Sequence, residues 1–233
     1  MIRIGKSPEF RAAKVGSSSN PVGPGRDCPD CPRLVEFRNA NRAANPDWHN
    51  APVPSFAPAP STPPSLLIVG LAPGLKGANL TGRPFTGDYA GDLLYATLLK
   101  FAFATGIYGA RFDDGLELVD CRITNAVRCV PPQNKPVGAE IAACRGFLTN
   151  EIRSLRNLKV ILALGTLAHG AVLAALGERK SNHKFGHRQF HELPGGLVLA
   201  DSYHCSRYNT NTRRLTVEMF EAVFDDIRKR LSP

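Results

Sequence analysis

Residues 70–88 read GLAPGLKGANLTGRPFTGD, a loop built from the groups that chemistry on a bound molecule requires. Glycines stand at 70, 74, 77, 82 and 87, with prolines at 73 and 84. A glycine carries no Cβ, so main chain can approach a ligand closely in this loop, as at Gly70. At the far end Phe85 offers a flat stacking surface and Asp88 a carboxylate. Taken alone, this pattern equally fits an ordinary strand-to-helix loop with turn glycines. Four cysteines form a second group. Cys28 and Cys31 make a C-x2-C pair, while Cys129 and Cys144 lie far downstream. Four thiolates suit zinc or an iron–sulfur cluster, and the unequal spacing does not choose between them. Cys121 reads as core. Cys205 follows His204 and resembles a nucleophile, but no positioned base accompanies it, so a packing role is expected.

The elements that must position these residues alternate in type. Residues 65–69, SLLIV, are a short apolar run of the kind found in a buried strand, and the glycine loop leaves its carboxyl end. Residues 88–105 carry Leu93, Leu94, Leu98, Phe101 and Ala102 at helical spacing. Residues 121–127 read as a strand, 138–155 as a helix bearing Cys144, and 158–164 as a buried strand followed by a helix over 165–176. Residues 177–191 are basic, histidine-rich and loop-like. A last strand spans 196–202, and an amphipathic helix over 215–231 turns Met219, Val223 and Ile227 inward. Strands alternating with helices predict a three-layer α/β/α sandwich around a central four-stranded parallel sheet. Right-handed crossovers would then gather the loops 70–88, 125–129 and 204–214 at one rim, where open α/β sheets bind ligands.

Ahead of this body, residues 33–44 predict a short helix burying Leu34 and Phe37. Residues 45–64 hold seven prolines, which exclude helix and central strand and predict an extended surface connector pinned by Trp48 and Phe56. Residues 1–27 read as a flexible tail, leaving 28–233 as one domain. The formal charge of +9 points to a polyanionic partner, most often nucleic acid. No apolar run is long enough for a bilayer and no secretion signal is evident, so a cytoplasmic protein without membrane contact is expected. Six cysteines in that setting are metal ligands or free thiols rather than disulfides.

Three stretches carry a resemblance: residues 70–88, ITNAVRCVPPQNKP at 123–136, and HCSRYNTNTRRLT at 204–216. Together with Cys28, Cys31, Cys129 and Cys144 in order and spacing, they make the chain similar, from about Cys28 to the C-terminus, to the iron–sulfur uracil-DNA glycosylases. Within that superfamily it most resembles family 5, the B-type enzymes. The related family 4 has an acidic residue after the first glycine of the loop, where this chain has Leu71. It departs from the family's usual pattern at Leu75-Lys76, Leu80 and Cys205, all at the loop rim, which bears on substrate range and DNA contact.

The resemblance implies a monofunctional glycosylase that flips a damaged base out of DNA and hydrolyses its bond to the sugar. The leaving base departs as an anion and the sugar becomes cation-like. On this reading His204 donates a hydrogen bond to uracil O2, Phe85 stacks on the base, and Asn125 reads its O4/N3–H edge. Asp88 handles the attacking water; an aspartate there also reads as the N-cap of the following helix. Main chain at Gly70, Leu71 and Ala72 helps hold base or water. Ser206, Arg207, Tyr208, Asn209, Arg213 and Arg214 contact DNA and fill the gap left by the flipped base. The four cysteines hold a [4Fe-4S] cluster, with zinc as the alternative, which ties the N-terminal arm to a monomer. Two other readings share the residues: a non-catalytic iron–sulfur DNA-binding protein, and a relative that traps the sugar covalently.

Overall fold

The computed structural model describes residues 23–59 and 63–232, so most of the expected tail, residues 1–22, lies outside the described residues. Residues 26 and 27 are held against the first helix, where Arg42 donates to the Arg26 carbonyl and pairs with Asp27 at 2.7 Å. That helix, α1 (Pro32–Ala44), starts on a proline whose missing N–H costs nothing at this position. It buries Leu34, Arg38 and Asn41, while Phe37 is half-buried.

The connector is less superficial than its prolines suggest. Ala51, Pro52 and Val53 are buried, and Phe56 exchanges two backbone hydrogen bonds with Ile123, of 2.8 and 2.9 Å. Those bonds cover the outer edge of the sheet, which would otherwise be open to pairing with another chain.

The body follows in order: β1 (Leu66–Gly70), α2 (Ala78–Thr81), α3 (Tyr89–Lys100), a small hairpin of β2 (Ala104–Thr105) and β3 (Glu117–Leu118), then β4 (Cys121–Asn125), α4 (Gly138–Ser154), β5 (Val160–Leu164), α5 (Thr166–Leu176), β6 (Phe190–Glu192), β7 (Val198–Ser202), α6 (Arg207–Asn211) and α7 (Val217–Leu231). The main sheet has five strands in the order β4-β1-β5-β7-β6, not four. Its first four are parallel, and β6 pairs antiparallel with β7. Strand β6 lies at the end of the basic stretch 177–191 that reads as loop. Three residues, Phe-His-Glu, carry no apolar run; backbone pairing to β7 alone makes them a strand.

Alternation along β1 sorts its side chains between two cores. Leu66 and Ile68 join Leu94 and Leu98 of α3 and Phe220, Val223 and Ile227 of α7. Leu67 and Val69 join Leu148 and Ile152 of α4 and the buried face of α5. The chain leaves β1 toward α3 on one face and leaves β4 toward α4 on the other. The loops diverge, and a cleft opens at the carboxyl ends of the strands.

Candidate active site

Strand register places the first two groups. Gly70 closes β1 directly opposite Asn125, which closes β4. A Cβ on Gly70 would lie 2.5 Å from Cζ of Phe85 and would also strike Oδ1 of Asn125. Glycine is therefore required here so that ring and amide can meet over the strand end. Asn125 is 4% exposed, and its side-chain amide has no hydrogen-bond partner among the described residues. The amide atoms open on the cleft and are free to pair with a ligand there.

Strand β7 delivers the third group. Two residues past Ser202, the His204 ring lies with its centroid 6.0 Å from that of Phe85 and tilted 32° to it. The Asn209 amide donates a 2.8 Å bond to the His204 carbonyl, fixing the backbone that carries the ring. The ring nitrogens have no partner among the described residues. Burial pushes the His204 imidazole below its ordinary value, so at neutral pH it is an uncharged N–H donor.

Asp88 is the N-cap of α3: its Oδ1 accepts from the Gly91 N–H at 3.0 Å. Its other oxygen faces the glycine loop, where a Cβ on Gly77 would stand 2.7 Å from Oδ2. Burial raises the carboxyl above its ordinary value and outweighs the Gly91 hydrogen bond, which lowers it. Capping therefore leaves one oxygen free.

Together these groups line a cleft of about 340 Å³ with Leu71, Ala72, Pro73, Gly74, Ala78, Tyr89 and Arg207. The three strand ends thus meet as the topology predicts. Two further lining residues escaped the sequence reading. Tyr89 lies under the Arg207 guanidinium at 5.4 Å, and Asn134 accepts from the Leu75 N–H at 3.2 Å with its backbone at φ +56°. An asparagine between prolines, tolerant of left-handed backbone, was the available signal for Asn134.

The segment after His204 is a short helix rather than an open loop. Ser206 caps α6 by accepting from Asn209 N–H, so these two side chains work within the loop. Arg207, Tyr208, Arg213 and Arg214 are exposed, and Arg214 stacks over the Tyr203 ring at 4.6 Å. His187, by contrast, is turned inward: its Nδ1 accepts from the Tyr203 N–H, and its ring stacks on Tyr203. Nearby, Asp201 lies between His169 and His191 at 2.7 and 3.1 Å in a buried cluster joining α5, β6 and β7. Cys205 is fully buried with its thiol donating to the Ala90 carbonyl, and Cys121 likewise donates to that of Phe103.

On the opposite flank Cys28, Cys31, Cys129 and Cys144 line one small cavity with Arg38 and Phe147. Arg38 reaches Cys129 Sγ at 3.8 Å and the Cys28 carbonyl at 3.0 Å, while its buried Nε has no partner. Burial, then the charge of Cys144, pushes the Cys129 thiol up to about 12. Arg128, next in chain, is fixed by Glu151 of α4 and by Ser55 of the connector.

The uracil DNA glycosylase superfamily model matches residues 59–228. A type-5 uracil-DNA glycosylase of Thermus thermophilus is 43% identical over 208 residues, covering 87% of this chain and 93% of that one. The chain belongs to the type-5 branch of the uracil-DNA glycosylase superfamily. Relatives of the same description from Mycobacterium bovis and Pyrobaculum aerophilum are 39% and 37% identical over 87% and 84% of this chain. They cover 77% and 86% of their own lengths. A type-4 uracil-DNA glycosylase of Pyrobaculum aerophilum is 35% identical over 49% of the chain.

Proposed function

We propose that this protein is a DNA repair hydrolase that cuts the N-glycosidic bond of uracil in DNA and leaves an abasic site. One observation carries the reading most: the Asn125 amide, with no hydrogen bond to the described residues, faces the same cleft as the Phe85 ring and the His204 imidazole. An amide offers a donor and an acceptor together, which is what the O4/N3–H edge of uracil requires. The base enters by flipping out of the stack and lies on Phe85. As the C1′–N1 bond breaks, its electron pair passes to the ring, and the neutral His204 N–H stabilises the charge growing on O2. Such a preorganised donor contributes roughly 10²–10³ in rate. Water attacks C1′ and gives its proton to the free oxygen of Asp88, whose charge also favours the cationic sugar. Main chain at Gly70, Leu71 and Ala72 borders the base and water. Ser206 and Asn209 shape the DNA-facing loop, and Arg207, Tyr208, Arg213 and Arg214 meet phosphate and the vacated stack. The small walls at Ala72 and Ala78 leave room for other deaminated or damaged bases.

Cys28, Cys31, Cys129 and Cys144 would hold a [4Fe-4S] cluster. The residues fit such a group: four thiols converge beside an arginine whose buried Nε lacks an acceptor. The only three-ligand group within 4.8 Å among the described residues lies elsewhere, at His169, His191 and Asp201. Four thiolates also suit a single tetrahedral zinc, which stays the alternative occupant. The cluster's role is to clamp the arm and shape the loop after Asn125. On this reading the protein works as a cytoplasmic monomer; all six cysteines are free of disulfides. No described helix is long and apolar enough to cross a membrane.

A single-turnover assay on a uracil-containing oligonucleotide, followed by alkali cleavage of abasic sites, tests the activity. Strand cleavage after alkali is expected. DNA binding without it would support the non-catalytic reading, and a protein–DNA band that survives denaturation would support covalent trapping.

A further inference from the structure

Phe85, a bulky residue, sits at φ +52°, in the left-handed region that such side chains rarely adopt. Backbone held there persists only where its surroundings over-determine it. The surroundings do so on both sides. Before Phe85, the Tyr95 hydroxyl donates to the Pro84 carbonyl at 2.6 Å. After it, Arg83 Nε donates to Thr86 Oγ1 at 2.8 Å, and Thr86 Oγ1 donates back to the Pro84 carbonyl at 3.2 Å. The Phe85 carbonyl itself lies against Gly91, where no Cβ fits, and within 3.4 Å of the Tyr108 hydroxyl.

Arg83 is in turn held from outside the loop. Its guanidinium makes two parallel bonds to Asp114, of 2.8 and 2.7 Å, and lies 5.2–5.8 Å from the rings of Phe56, Tyr95 and Tyr108. Asp114 also accepts from the N–H groups of Gly109 and Leu116. A buried ion pair adds little net stability over apolar packing, so its value here is geometric. The excursion between β2 and β3 thereby reaches back to the turn that carries the ring.

We propose that Arg83, Tyr95 and Asp114 are positioning residues for base excision: without touching the cleft, they hold Phe85 in its strained turn so that the ring meets the flipped base. This rests on the reading of Phe85 as the stacking surface.

The test is a double-mutant cycle with Tyr95→Phe and Phe85→Ala, run well below the melting temperature of every variant, with Asp114→Asn as a second probe. Two quantities are read: competitive inhibition by free uracil and single-turnover release. Tyr95→Phe is expected to weaken uracil inhibition and slow release on the order of tenfold, with affinity for abasic-site DNA unchanged. In the Phe85→Ala background the same substitution is expected to add nothing, since residues acting through one group are not additive. Equal losses in both backgrounds, or no loss in the parent, would overturn the positioning role. If Phe85→Ala itself left uracil inhibition unchanged, the stacking reading would fail and take this inference with it, a result separable from the first.

Discussion

The carbonyl of His204 accepts a 2.8 Å hydrogen bond from the side-chain amide of Asn209, so the imidazole rides on a backbone locked by the helix that follows it. Asn209→Ala removes that lock while leaving the ring. A hydrogen bond of this kind is worth about 1 kcal/mol, and if fully expressed in the transition state its loss slows release by about fivefold. Single-turnover kinetics at saturating enzyme measure it, and an unchanged rate would show that the loop holds His204 unaided.

Gly70→Ala tests the close approach at the end of β1. The added methyl would meet Phe85 Cζ at 2.5 Å and the Asn125 amide beside it. Displacement of catalytic groups by about 1 Å costs on the order of 10²-fold in rate, so base release should fall by that factor while circular dichroism stays unchanged.

The pH dependence follows from Asp88. Its carboxyl is raised above the ordinary 3.8 by burial, and the reaction uses the ionised form. Activity should therefore fall on the acid side through a limb lying above pH 3.8, and Asp88→Asn should remove both the limb and most of the rate. Stability has the opposite sign. A carboxyl with a raised folded pKa stabilises the fold while protonated and loses that contribution as pH rises through the folded value. Asparagine caps helices as well as aspartate does, so Asp88→Asn should melt higher than the parent at neutral pH. A lower melting temperature there would mean the carboxylate is needed for folding.

For the thiol centre, purified protein should carry about four irons per chain and absorb in the visible. Cys144→Ala should lose both and expose the arm around α1 to protease. Losing even 3 kcal/mol would lower the melting temperature by roughly 6–12 °C. One zinc in place of the irons would give the alternative metal.

Much of this site was legible because its parts lie where strands end. The apolar runs at β1 and β5 and the alternating stretch at β4 located the strand ends, and the motifs that resemble the family singled out Asn125 and His204 on them. What escaped the sequence was set by long-range pairing. Phe190–Glu192 become a strand only because β7 offers its edge. Arg83 and Asp114 stand 31 residues apart, yet both side chains are about 5% exposed or less and pair beside the Phe85 turn. Arg128 and Glu151 likewise pair in the core. Nothing local in a sequence distinguishes a buried ion pair from two solvated charges.

The central claim is that a neutral imidazole at the end of β7 drives base departure once Phe85 and Asn125 have received the base. Single-turnover uracil release by His204→Ala, measured beside its affinity for the same oligonucleotide, tests it most directly. The account predicts a rate lower by roughly 10²–10³ with affinity preserved; release at the parent's rate would contradict it.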